Sequence, residues 1–132
     1  MAYNILVLED MDARVEWLRK TFKFSTAIWH ETTVKGFQEK FLELQKKRKL
    51  QLIILDHDLG GPWFDSKDAD EQTGTDAAQW LQSQPRVPTI IWSINAEGSK
   101  RMRSYLPWAL HRPFVNLSKI QEAIYEIMRG DS

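Results

Sequence analysis

The chain has 132 residues, 42% of them hydrophobic, which is the size of one domain and too short for two full-sized ones. Lys and Arg number 18 and so do Asp and Glu, so bulk charge does not drive DNA binding. The absence of cysteine excludes disulfides, Cys-ligated zinc and thiol catalysis. No apolar stretch approaches the roughly 20 residues that cross a membrane. We therefore expect a cytoplasmic protein with one domain over residues 1–132 and no membrane contact.

The first half of the chain alternates apolar runs with amphipathic segments. Residues 4–8 predict a first strand, and the stripe after it has the i, i+4, i+7 spacing of a helix. That stripe consists of Met11, Val15, Leu18 and Phe22. The same alternation predicts a strand over 25–30, a helix with Phe37, Phe41 and Leu44 inside, and a strand over 52–55. The β-branched residues of segment 52–55 suit a strand that is buried on both faces.

The second half begins with residues 57–73, which show no period and predict a long loop before the third helix. Loops of this length are uncommon in a compact domain and usually functional or disordered. After it we predict a helix over 74–83, a strand over 89–92, a helix over 99–106 that Ser99 caps, and a strand over 108–110. The last helix carries Ile120, Ala123, Ile124, Ile127 and Met128 and stops at Gly130. The pattern predicts an α/β fold, a doubly wound five-stranded parallel sheet flanked by helices.

Polar side chains follow four of the five predicted strands. They are Glu9 and Asp10, then Asp56, His57 and Asp58, then Ser93 and Asn95, and finally His111 and Arg112. Ligands of such sheets bind outside the carboxyl ends of the strands, so these groups should meet at one edge. Burying unpaired carboxylates is costly, and helix capping accounts for only one of these acids. The sequence therefore predicts a functional site.

The chemistry of that site follows from its oxygen-rich donors. Clustered carboxylates suit a hard divalent cation, Mg²⁺ or Mn²⁺, and the candidate ligands are Glu9, Asp10, Asp56 and Asp58. Arg112 would meet a phosphate as a forked donor. Such a set serves phosphoryl transfer, in which positioning and charge neutralisation do most of the work.

Two histidines are candidates for proton transfer. His111 follows the fifth strand, and its ordinary pKa near neutrality suits a general acid or base; the alternative is a hydrogen-bonded histidine at a strand end. His57 and Asp58 would point to opposite sides of an extended segment. One of them should face the site while the other orients a loop or helix.

The long loop adds three candidates for substrate binding. Gly60 and Gly61 could let backbone N–H groups approach a phosphate, although a plain turn explains them as well. Trp63 could stack on a base or fold back onto the domain. The acids of the loop do not have the spacing of a calcium-binding loop, and we interpret them as solvated charge.

The strand-end residues resemble those of the receiver domains of two-component response regulators. The resemblance rests on Glu9 and Asp10, Asp56, Ser93 and the triplet 112–114, and it runs nearly end to end. It implies that the acidic pair holds Mg²⁺ and that Asp56 accepts a phosphoryl group. It also implies that Ser93 and Arg112, the latter in place of the family's lysine, contact that group.

Several departures make the chain more similar to a divergent branch, the cyclic-phosphate-processing receiver domains. They are the arginine, the long acidic loop, the segment 93–98, and the added His57 and His111. This resemblance implies a stand-alone domain that acts, with a metal, on a cyclic phosphate of a nucleotide or RNA end, by hydrolysis or phosphoryl transfer; Asn95 joins its phosphate-binding set. A phosphoacceptor receiver, or a non-catalytic binder that sequesters a phosphorylated nucleotide, are the alternatives that stay open.

Overall fold

Strands and helices alternate along the whole chain. A computed structural model describes residues 3–23, 26–47, 49–57, 73–93, 95–112 and 117–130. The strands are β1 (Tyr3–Leu8), β2 (Thr26–Glu31), β3 (Leu50–Leu55), β4 (Thr89–Trp92) and β5 (Leu110–Arg112). The helices are α1 (Asp12–Thr21), α2 (Val34–Lys46), α3 (Gly74–Leu81), α4 (Ala96–Tyr105) and α5 (Leu117–Met128). In the described ranges, no helix is both long and apolar enough to span a bilayer.

The five strands form one parallel sheet in the order β2-β1-β3-β4-β5. Leu8 pairs with Leu55, and Leu55 pairs with Ile91, so β1, β3 and β4 end within one residue of one another. The strand order reverses between β1 and β3, which is the switch point where such sheets bind ligands. The predicted doubly wound α/β fold is confirmed.

Helices cover both faces of the sheet, and each face has its own core. On one face, Leu6, Leu8, Ile53 and Leu55 pack with residues of α2, α3 and α4. On the other face, β-strand residues that include Trp92 pack with residues of α1 and α5. Because the helices cover both faces, the central strands β1, β3 and β4 are largely buried and apolar on both sides, as their sequence runs suggested, whereas β2 and β5 at the edges are partly exposed.

Helix ends are fixed by side chains that bind backbone N–H groups. Thr73 and Asp76 form a capping box at the start of α3, where the Thr73 N–H donates to Asp76 Oδ2 at 2.7 Å. Asn95 caps α4, its Oδ1 accepting from the Gly98 N–H at 2.7 Å. After α5, Gly130 has a φ of 80°, which confirms it as the helix stop.

Three local predictions were wrong. Ser99 does not cap α4; it lies buried within the helix, because the chain turns earlier and Asn95 takes the capping position. The fifth strand is Leu110–Arg112 rather than 108–110, since the Trp108 indole packs on the core and donates to the Val87 carbonyl at 3.2 Å. Met11 is the N-cap of α1 and 44% exposed, so it is not part of the buried stripe.

Candidate functional site

Three carboxylates meet at the ends of β1 and β3. The Asp56 N–H donates to the Leu8 carbonyl at 2.9 Å, which continues the strand pairing and sets Asp56 beside Glu9. One oxygen each of Glu9, Asp10 and Asp56 lies within 4.8 Å of the others. Glu9 is 1% and Asp56 4% exposed, while Asp10 is half-buried. The sequence prediction that these acids converge on one edge matches this geometry.

Capping of α1 does not explain this cluster. The N-cap of α1 is Met11, which makes no side-chain capping bond. Glu9 Oε1 instead accepts from the Met11 N–H at 3.1 Å, while its Oε2 faces Arg14. Asp10 is therefore left to the cluster and not to the helix.

Arg14 is the cation of the cluster. Its Nη1 lies 3.0 Å from Glu9 Oε2 and 3.5 Å from Asp56 Oδ2. The guanidinium carbon lies 5.6 Å from the centroid of the Trp92 ring. Sequence reasoning missed this residue, although a signal existed. Arg14 lies one turn before the buried Leu18, in the first turn of α1, which begins just after the carboxyl end of β1.

One arginine does not balance the three acids. The pKa of Glu9 is raised from 4.5 to about 8, first because the side chain is buried and second because the Asp56 carboxylate repels its charge. Arg14 and the Met11 N–H act in the opposite direction and lower the pKa of Glu9, but burial outweighs them. The cluster therefore has the charge and the oxygen donors to accept a further cation.

His57 joins the end of β3 to the start of α4. The ring is buried, and its Nδ1 lies 3.2 Å from Asn95 Nδ2. The Asn95 Oδ1 is already taken by the Gly98 N–H, so the amide nitrogen is the group that faces the ring. Since an amide nitrogen only donates, the network assigns Nδ1 as the acceptor and puts the proton of the neutral ring on Nε2.

Two glycines let α3 and α4 approach His57. A Cβ atom on Gly98 would lie 2.5 Å from His57 Cδ2 and 2.8 Å from Nδ1, and the Gly74 N–H donates to the His57 carbonyl at 3.0 Å. The His57 N–H in turn donates to Asp56 Oδ1 at 2.8 Å. The first turns of both helices are thereby held to the residue that follows Asp56.

The ends of β4 and β5 supply the remaining predicted site residues. Ser93 is buried, and its Oγ accepts from the Asn95 N–H at 3.1 Å. His111 is half-buried, with Nε2 3.4 Å from the Ser93 carbonyl. Arg112 donates from Nη1 to the His111 carbonyl at 2.8 Å, a bond within its own strand.

Four predicted site residues fall in segment 58–72, outside the described residues. They are Asp58, Gly60, Gly61 and Trp63, and their roles stay predictions.

The described acids fit a divalent cation. Mg²⁺ binds through one or two carboxylates together with water and substrate phosphate, and Mn²⁺ accepts the same oxygen donors. Glu9, Asp10 and Asp56 are the residues that could hold such an ion, since they offer one oxygen each within a short distance.

The sheet order, the helices on both faces and the acids at the switch point together define a receiver-type domain. Solved structures with this fold include a receiver domain from Clostridium thermocellum (15% identity, TM-score 0.68, 99% of this chain and 97% of that one). Others are receiver domains from Methanospirillum hungatei (16%, 0.62, 98% and 99%) and Vibrio parahaemolyticus (19%, 0.65, 98% and 92%).

Within this class, the chain belongs to the cyclic-phosphate processing receiver domain family, whose profile matches residues 5–107. No curated protein sequence matches the chain.

Proposed function

We propose that this domain binds a cyclic phosphate on a nucleotide or RNA end and opens it with the help of Mg²⁺ or Mn²⁺. The observation that carries the proposal is the trio Glu9, Asp10 and Asp56, drawn within 4.8 Å of one another at the switch point. It is supported by membership in a family described as processing cyclic phosphates. A bound cation would neutralise phosphate charge there.

The other site residues divide into phosphate contacts and proton transfer. Ser93 and Asn95 follow β4 beside the acids, and Arg112 follows the next strand, so all three are candidates for phosphate contact. Of the two histidines, we assign to His111 the role of transferring a proton to the leaving oxygen. His57 is packed against Gly98 and holds the Asn95 amide, whereas His111 is half-exposed. A carbonyl only accepts, so the contact with Ser93 turns Nε2–H inward and makes His111 Nδ1 the exchanging atom.

The reaction is a hydrolysis in which His111 acts first as acid and then as base. Water attacks phosphorus, and the bond between phosphorus and one ring oxygen breaks. The imidazolium form of His111 gives its Nδ1 proton to the leaving oxygen, and the neutral ring then takes up the proton that the water loses, which restores the imidazolium. The product is an open phosphate monoester.

The decisive experiment offers the pure protein a panel of 2′,3′-cyclic and 3′,5′-cyclic nucleotides and an RNA oligonucleotide with a 2′,3′-cyclic end. Binding is followed by calorimetry and product by ³¹P NMR, with Mg²⁺, with Mn²⁺ and with chelator. We expect metal-dependent ring opening that Asp56→Asn abolishes and Arg112→Lys weakens. Glu16→Gln, an exposed acid on α1, is the matched control and should behave as wild type.

The outcomes separate the alternatives. Binding without product would replace the enzyme by a binder that sequesters the ligand. A protein that neither binds nor opens any ligand of the panel would refute the proposal.

A phosphoacceptor receiver is the second candidate, because Asp56 lies directly after β3 beside an acidic pair. One similar solved structure is a BeF₃-activated receiver domain. Against this role, Oδ1 of Asp56 already accepts from the His57 N–H at 2.8 Å. That bond withdraws electron density from the carboxylate that would attack a phosphodonor.

Intact-mass spectrometry after incubation with acetyl phosphate and Mg²⁺ tests this candidate. We expect no stable gain of a phosphoryl group. A gain that disappears in Asp56→Asn would establish the signalling receiver in place of the enzyme.

A further inference from the structure

Arg14 bridges two of the three clustered acids. Its Nη1 lies between the Glu9 and Asp56 carboxylates, at 3.0 and 3.5 Å, and only 11% of its side chain is exposed. These are two of the three acids whose oxygens cluster. A divalent ion that binds these two carboxylates would therefore compete with the guanidinium for them.

A divalent ion would compete strongly with Arg14 for these carboxylates. A divalent ion at about 2.1 Å from an oxygen attracts a carboxylate roughly three times as strongly as a single charge at the distance of Arg14. Once the ion is seated, it also repels the guanidinium. The guanidinium would then turn to the phosphate that the ligand of the proposed function brings.

We propose that Arg14 is a phosphate-binding residue, stored on Glu9 and Asp56 in the metal-free protein and released to the phosphoryl oxygens when a divalent cation takes these carboxylates. The inference rests on the proposed function, since it assumes that a phosphate binds at this edge. It adds a residue and an order of events that the strand-end motifs do not contain.

The surroundings of Arg14 suit this role better than those of Arg112. Guanidinium groups bind phosphate through two parallel N–H bonds, which a lysine does not reproduce. The Trp92 ring, 5.6 Å from the guanidinium carbon, keeps the cation beside the cluster when it leaves the carboxylates. Arg112, by contrast, is bonded to the carbonyl of His111 in its own strand. Arg14 on α1 can therefore supply the forked phosphate donor that the sequence predicted at Arg112.

The test compares wild type, Arg14→Gln and Arg14→Lys, with Lys20→Gln as control, because Lys20 is an exposed cation on the same helix. Two probes are used. Mn²⁺ alone is titrated and followed by electron paramagnetic resonance, and inorganic phosphate is titrated into the Mg²⁺-loaded proteins by ³¹P NMR.

We expect Arg14→Gln to bind Mn²⁺ about three- to tenfold more tightly, since a competing charge is gone. We expect the same variant to bind phosphate about tenfold more weakly, the usual effect of losing a charged hydrogen bond. The phosphate affinity of Arg14→Lys should lie between those of wild type and Arg14→Gln. Lys20→Gln should match wild type in both titrations.

Weaker Mn²⁺ binding in Arg14→Gln would overturn the inference, because Arg14 would then be arranging the carboxylates for the metal. Unchanged phosphate binding would overturn it as well and leave the proposed function intact. A wild-type protein that binds neither Mn²⁺ nor phosphate would instead refute the proposed function. If circular dichroism shows that Arg14→Gln is unfolded, Arg14→Lys decides: weaker phosphate binding supports the inference, and unchanged binding rejects it.

Discussion

Replacing Glu9 by glutamine should make the metal-free protein more stable at alkaline pH. The pKa of Glu9 is raised from 4.5 to about 8, so near neutral pH the folded protein retains a proton that the unfolded chain has released. Unfolding then releases a proton, and raising the pH favours it. The contribution of Glu9 to stability is complete below pH 4.5, is lost progressively between 4.5 and 8, and changes no further above that pH.

The size of this effect follows from the shift. Each pH unit in the window removes about 1.4 kcal/mol, which sets an upper bound of about 5 kcal/mol for the whole window. Glutamine has nearly the shape of the protonated acid and does not titrate. Glu9→Gln should therefore match wild type near pH 5 and exceed it by a few kcal/mol at pH 9.

Urea unfolding in chelator, at intervals from pH 5 to pH 9, measures the difference. Glu16→Gln removes an exposed acid from the neighbouring helix and should follow the wild-type curve. With Mg²⁺ or Mn²⁺ present, the order at alkaline pH should reverse, because only the wild-type carboxylate holds the metal. A constant gap between wild type and Glu9→Gln across the pH range would refute the argument from burial and charge repulsion.

Three further changes test the rest of the site. Millimolar Mg²⁺ or Mn²⁺ should raise the Tm by mass action, and Asp10→Ala should lose most of that rise; an unmoved melting curve for wild type would argue against any metal site. Gly98→Ala should destabilise the fold by about 1–3 kcal/mol in urea titrations, because its Cβ collides with the His57 ring, and His57→Ala should relieve the penalty. Equal losses in both backgrounds would contradict that contact. His111→Gln should slow ring opening by about 10²- to 10⁴-fold, whereas an unchanged rate would exclude His111 as the proton donor.

The fold was predictable from sequence because a parallel sheet covered on both faces needs strands that are apolar throughout. Runs such as Leu52–Leu55 stop where the sheet meets water, and the acids after them mark the edge. The cap of α4 and the start of β5 could not be predicted in this way, because both depend on packing. Ser99 and Asn95 are both good capping residues, and only the point at which the chain leaves β4 decides between them. Trp108 looks like a strand residue by composition but packs on the core instead.

The site was predictable only in part, for a similar reason. Site residues at strand ends can be predicted, because each of them follows directly after an apolar run. A residue that reaches the site from a helix does so only if the helix turns that side chain towards it, and the spacing from the buried stripe indicates this less directly than a position after a strand does. Arg14 entered the cluster in this way, and His57 turned out to hold α4 through Asn95, an arrangement that no pattern of residue types predicts.

The bond between Gly74 and His57 has a consequence for how this domain can diversify. It joins the residues on either side of segment 58–73 at a donor–acceptor distance of 3.0 Å, so the two ends of that segment are held close together. The entropy of closing such a loop grows only with the logarithm of its length, about 0.6 kcal/mol for each doubling. Insertions before Thr73 in this segment should therefore cost the fold little, whereas Thr73 itself is needed for the capping box of α3. Homologous domains with the same anchor are free to acquire new ligand preferences there by changing the length and composition of one segment, while the acids and the sheet beneath them stay as they are.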